Sequence, residues 1–209
     1  MKRLSAAFIA LTLLAPSAYC APVWEGDVCR VTESLPSSRQ SAKDNPVAFI
    51  GDSLAYGLAQ ASGALNGGVV GIGLAGKRLR SMTPLNQTTL SSDYQRWTAL
   101  SRKAQVIVEI GTNDFGYTKP AQNYALLLDR YILPLRPACL VLPPPTMRKD
   151  VMQGVETLWP VMQAWGADHA IRVIPFPQFS ASERAADGIH FTHTSYARLA
   201  RDVRRQCGL

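Results

Sequence analysis

The chain has 209 residues, 22 Lys and Arg against 15 Asp and Glu, a formal net charge of +7 and four cysteines. That length makes one compact domain with its own hydrophobic core and excludes a multidomain machine. With 47% hydrophobic, 18% charged and 8% aromatic residues, it is not a disordered chain, a collagen or a disulfide-dense miniprotein. The basic excess is too mild to specify an acidic partner. No nucleic-acid-reading motif accompanies it, so no nucleic-acid role is expected.

Residues 1–20 run from basic Lys2-Arg3 through an apolar stretch, Leu4 to Ala15, into Pro16-Ser17-Ala18-Tyr19-Cys20. This is the charge, apolar core and small-residue tail of a secretory signal, too short to span a bilayer as a helix. The expected organisation is a signal peptide over 1–20, a polar leader over 21–45 and one domain over 46–209. The product is expected to be periplasmic or secreted and monomeric, with no transmembrane segment in the mature chain. Cleavage after Cys20 leaves 20 basic residues against 15 acids, about +5. Arg198, Arg201, Arg204 and Arg205 carry much of that excess on the last predicted helix, where cations near the C-terminus suit its dipole. Three cysteines then remain in an oxidising compartment. Cys139 lies in the apolar run Ala138 to Leu142 and reads as a buried small hydrophobe. The expected disulfide therefore joins Cys29 to Cys207.

In chain order, strands are predicted at Val47 to Ile50, Val69 to Ile72, Val106 to Ile110, Cys139 to Leu142 and Ile171 to Ile174. Helical spacing is clearest over Ala121 to Leu133, with Tyr124, Leu127, Leu128, Tyr131 and Leu135 recurring at three and four. A second helix is predicted over Val151 to Trp165, where Pro160 should kink or restart it. The last covers Ser195 to Gln206, with Tyr196, Leu199, Ala200 and Val203 inward. Short strands apolar on both faces, alternating with helices, imply a parallel sheet of about five strands covered on both sides, an α/β fold. In such sheets the working site lies beyond the carboxyl ends of the strands.

Four features fall there. Ser53, in Gly51-Asp52-Ser53-Leu54, sits at a strand-to-helix turn that lifts a hydroxyl above the sheet and offers backbone N–H groups to negative charge. Helix capping is the plainer role for such a serine, and Asp52 reads as a brace for the turn. A glycine-rich turn, Gly71 to Gly76, follows the second strand. Asn113, in Gly111-Thr112-Asn113-Asp114, is an uncharged donor suited to an oxyanion, or an Asx-turn. Asp187-Gly188-Ile189-His190 places a carboxylate three residues before an imidazole, the arrangement of a proton shuttle and its orienting acid. His169 reads as structural or solvated. His190 and His193 form a His-x-x-His pair with no third ligand at metal spacing, so no metal is expected.

Taken together, these blocks resemble those of the SGNH hydrolases, the GDSL esterase and lipase family, in order and spacing over about Val47 to Ala200. The resemblance implies a three-layer α/β/α, flavodoxin-like domain with Ser53 as nucleophile, His190 as base and Asp187 orienting it. It also implies an oxyanion hole from the N–H groups of Ser53 and Gly76 with the Asn113 side chain, Gly73 competing with Gly76 for that place. No cofactor is implied. Where many relatives have proline soon after the histidine, this chain has Phe191-Thr192-His193, which bears on the pocket wall. The expected activity is hydrolysis of a small-molecule, glycan, cell-wall or lipid ester through an acyl-enzyme on Ser53. The rivals are a carbohydrate O-acetyltransferase and a non-catalytic glycan-binding module on the same fold. The pocket is expected to be built from loops over Lys77 to Ser92 and Phe176 to Ala186.

Overall fold

The computed structural model describes residues 46–66, 87–114 and 122–209. Five parallel strands, β1 (Val47–Gly51), β2 (Leu65–Asn66), β3 (Gln105–Glu109), β4 (Cys139–Val141) and β5 (Val173–Ile174), form one sheet in the order β2-β1-β3-β4-β5. This is the flavodoxin-like order, and its switch point lies between β1 and β3. Every residue of β1 is buried, the consequence of a strand covered on both faces.

Side-chain parity sorts the core into two layers. Val47, Phe49, Ile107, Cys139 and Val141 face α1 (Ser53–Ser62) and α5 (His193–Cys207). Ile50, Val106, Val108 and Leu140 face α2 (Gln87–Ser101), α3 (Gln122–Tyr131) and α4 (Lys149–Asp168). The predicted apolar stripes of α3 and α5 point inward: Tyr124, Leu128, Tyr131, Tyr196, Leu199, Ala200 and Val203 are buried, and Leu127 is half-buried against the same core.

Two expectations change and a third is left open. The α4 helix continues through Pro160 without a break. Proline removes the N–H that would pair with the Glu156 carbonyl; both residues are exposed, so water can take that bond. A helix begins at Gln87 within the stretch expected to be loop, and it buries Trp97 completely. The expected strand Val69 to Ile72 lies outside the described residues.

The expected Cys29–Cys207 disulfide is corrected. Cys207 is bonded to Cys139, their Cα atoms 5.5 Å apart. Cys139 does lie in the core, but strand parity turns it toward α5, and the last turn of that helix brings Cys207 onto it. Two of the four arginines on α5 are locally neutralised, Arg198 by Glu183 and Asp202 and Arg205 by Asp202.

Candidate active site

β1 ends at Gly51, whose φ of +153° and missing side chain let its backbone lie against β3; a Cβ there would meet the Glu109 carbonyl oxygen at 1.6 Å. The next N–H, that of Asp52, donates to the same oxygen at 3.2 Å. The Asp52 carboxylate then caps α1 by accepting the Leu54 N–H at 2.9 Å, so the bracing role expected for Asp52 is what its geometry provides. Ser53 is left as the first residue of α1, at the switch point of the sheet.

The loop after β5 delivers the histidine. Asp187 Oδ1 accepts the N–H groups of Ile189 and His190, both at 2.9 Å, which closes a tight turn. Gly188 has φ +70°, where a Cβ would press on Met147 at 3.1 Å. Asp187 Oδ2 lies 2.5 Å from His190 Nδ1, and His190 Nε2 lies 2.7 Å from Ser53 Oγ. Burial pushes the Asp187 carboxyl up, but the hydrogen bonds from the imidazole and the two amides outweigh it and hold the group below the usual carboxylate range. Ionised, it only accepts, so Nδ1 carries the imidazole proton and bare Nε2 receives the Ser53 hydroxyl hydrogen.

Asn113 lies in the 3₁₀ turn Thr112–Asp114 beyond β3. Its Nδ2 is buried with no hydrogen-bond partner, the condition of a donor awaiting an acceptor. The turn is held by the Asp114 N–H on the Gly111 carbonyl at 3.0 Å and by Tyr124, whose hydroxyl donates to Asp114 Oδ2 at 3.2 Å. Gly76, the third expected donor, and its competitor Gly73 lie outside the described residues. The structure thus brings Ser53, Asp187 and His190 into one hydrogen-bonded chain.

His169 is engaged elsewhere, 2.9 Å from Asp129 Oδ1 and packed on Trp165. Both ring nitrogens of His190 are taken up by Ser53 and Asp187. Among the described residues no group of three or more His, Cys, Asp or Glu side chains is placed to hold a metal ion.

Two supporting residues escaped the sequence reading. Arg184, 7% exposed, donates to the main-chain carbonyls of Ile189 and Pro145. Its guanidinium carbon lies 4.3 Å and 4.1 Å from the ring centres of Phe179 and Phe191. Burial pulls its pKa down to about 10, which still leaves it charged at neutral pH. Phe191, at the place where proline is absent, stacks on Phe176 at 5.3 Å and is buried in this aromatic cluster. The other missed residue is Glu109, fully buried and in register with Gly51, two residues before Ser53. A glutamate inside the apolar run Val106 to Ile110 was the available signal, because acids are almost never fully buried without a partner.

Beyond β4 and β5, on the same edge of the sheet, lies a groove of about 560 Å³ lined by Leu142, Pro143, Trp159, Gln163, Gln178 and Phe179 among others. Phe176 and Phe179 join it to the cluster around Phe191, the residue after His190.

Residues 49–198 match the model of the GDSL-like lipase/acylhydrolase family. No curated protein matches the chain by sequence. Among solved structures, the chain is similar to the aryl esterase of M. smegmatis, at 19% identity and a TM-score of 0.55 over 78% of this chain and 97% of that one. It is similar to a carbohydrate acetylesterase from Sinorhizobium meliloti, at 17% identity and a TM-score of 0.56 over 79% of this chain and 99% of that one. It also resembles a GDSL-like lipase from Bacteroides thetaiotaomicron, at 16% identity and a TM-score of 0.55 over 82% and 91%. At these identities the solved structures establish a shared fold.

Proposed function

Because the chain belongs to the GDSL-like lipase/acylhydrolase family and is a carboxylic-ester hydrolase, we propose that Ser53, His190 and Asp187 are its catalytic residues and that its substrate is an acetylated glycan outside the cytoplasm. What carries the reading is the continuous chain from Ser53 Oγ through His190 to Asp187, at 2.7 Å and 2.5 Å.

In this reading Ser53 Oγ attacks the ester carbonyl as its proton passes to His190 Nε2, and Asp187 stabilises the resulting imidazolium. The oxyanion takes hydrogen bonds from the Ser53 N–H, Asn113 Nδ2 and the Gly76 N–H. Nε2 then returns the proton to the leaving alkoxide, the acyl group stays on Ser53, and water deprotonated by the same nitrogen releases the acid. These residues complete the cycle by proton transfer and hydrogen bonding.

The groove lined by Trp159, Gln163 and Gln178 supports a sugar ring: an aromatic edge for its apolar face and two amides for its hydroxyls. The carbohydrate acetylesterase from S. meliloti has the same fold. Export is supported by the Cys139–Cys207 disulfide, since such bonds persist in oxidising compartments. No helix among the described residues is long and apolar enough to cross a membrane.

The test is a panel of p-nitrophenyl esters of increasing acyl length and of acetylated oligosaccharides, assayed with wild type and Ser53→Ala. Turnover of acetyl substrates that Ser53→Ala lowers by about 10⁴-fold or more is expected, with a phosphonate labelling Ser53 stoichiometrically. Preference for long acyl chains would replace the glycan with a lipid ester, and acetyl transfer to an added sugar would mark a transferase.

A further inference from the structure

Asp52 and Glu109 are both fully buried, one at the end of β1 and the other at the end of β3. Gly51 and Glu109 are register partners, and the Glu109 carboxyl is approached by the Ala55 N–H of α1 and by Asp52, so both carboxyls adjoin the turn that carries Ser53. Asp52 Oδ1 is occupied by the Leu54 N–H. Asp52 Oδ2 and both oxygens of Glu109 are buried without a donor at hydrogen-bonding geometry, although the Ala55 N–H and the Thr112 hydroxyl approach Glu109 and the Thr112 N–H approaches Asp52. Two ionised carboxylates can only accept, and burying both charges together is costly. One added proton answers both problems, because it supplies the missing donor and halves the buried charge.

We propose that Asp52 and Glu109 are a positioning pair sharing one proton, carried on Glu109 and donated to Asp52 Oδ2, which fixes the Ser53 turn and keeps a single negative charge beside His190. The inference rests on Ser53 and His190 being the catalytic residues. Burial, followed by the neighbouring Asp52 charge and the hydrogen bond between the two carboxyls, raises Glu109 well above the usual range. Burial raises Asp52 too, but accepting from the Leu54 amide and from Glu109 pulls against it, as do the positive charge of His190 once it is protonated and the Thr112 amide. The proton is therefore held on the glutamate, although the titration belongs to the pair.

The other polar groups facing the pair are Tyr124 from α3, Tyr196 from α5 and Thr112 from its own turn. Burial pushes both tyrosines up, so they stay neutral, and His190 is the one nearby group among these whose charge changes in the reaction. Asp52 acts on it through space and on Ser53 through the α1 cap. The pair touches no reacting atom.

Difference infrared spectra between wild type and Glu109→Gln at neutral pH test the proposal directly. A protonated-carboxyl C=O stretch is expected in the wild type and in Ser53→Ala, and is expected to vanish in Glu109→Gln. Glutamine retains a neutral donor toward Asp52, so Glu109→Gln is expected to keep kcat within about threefold. Glu109→Ala loses the donor and should lower kcat about tenfold or more, with KM little changed. Asp52→Asn removes the charge beside His190, and the acid limb of its kcat/KM profile should move to lower pH. Absence of the band, or Glu109→Gln as impaired as Glu109→Ala, would overturn the pair. The spectra and Glu109→Gln decide the matter even if circular dichroism shows Glu109→Ala unfolded. Full activity in Ser53→Ala would instead remove the nucleophile assignment and leave the band standing.

Discussion

Arg184 donates to the main-chain carbonyl of Ile189, the residue that precedes His190 in the turn closed by Asp187. A loop stabilised only by its own hydrogen bonds would let the imidazole drift. Here a buried guanidinium clamped between Phe179 and Phe191 joins that turn to the Pro145 carbonyl beyond β4. The Met147 N–H adds a second anchor from the same region, donating to the Gly188 carbonyl at 3.0 Å.

Arg184→Ala should therefore lose about 2–3 kcal/mol of stability from its carbonyl bonds and ring packing and lower kcat by at least about tenfold. Arg184→Lys keeps the charge but not the planar fork that reaches two carbonyls, and should recover only part of both losses. Thermal unfolding and steady-state kinetics on both variants measure this.

Asp187→Asn keeps the shape of the side chain but replaces Oδ2 with an amide that can donate to Nδ1 and favour the wrong tautomer. A fall in kcat of about 10³–10⁴-fold is expected, with the fold intact. The wild-type carboxyl is held below its usual range, so its contribution to stability is fully present above the unfolded value of about 4. That contribution fades as pH falls through the lower folded value. Melting temperatures of wild type and Asp187→Asn should thus converge below about pH 4 and differ most near neutrality.

Asn113→Ala removes the buried, unpartnered Nδ2. If that amide serves the oxyanion, kcat should fall by about 10²–10³-fold while KM changes little, since the bond strengthens only as charge develops. A rise in KM of equal size, with kcat little changed, would show that the amide binds ground-state substrate instead.

The Cys139–Cys207 bridge closes a loop with a sequence separation of 68, and the chain-entropy model assigns such a loop about 4 kcal/mol. Reductant, or Cys207→Ala, should lower the melting temperature by roughly 10 °C or more for a domain of this size. Peptide mapping under non-reducing conditions should recover residues 139 and 207 cross-linked.

The alternation of apolar strands and amphipathic helices was legible in the chain alone, and with it the parallel sheet and its carboxyl edge. The blocks holding Ser53, Asn113, Asp187 and His190 were legible through their joint order and spacing at the strand ends, since each is only a few residues long and has a plainer role when taken alone. Which distant groups meet was settled by packing. Strand parity aimed Cys139 at α5 and so chose its partner. The β1–β3 register stacked Glu109 under Asp52, and loop packing drove Arg184 between two phenylalanines to hold the histidine turn. Those contacts depend on which face of which strand opposes which helix, and residues dozens of positions apart carry no mark of each other in the chain.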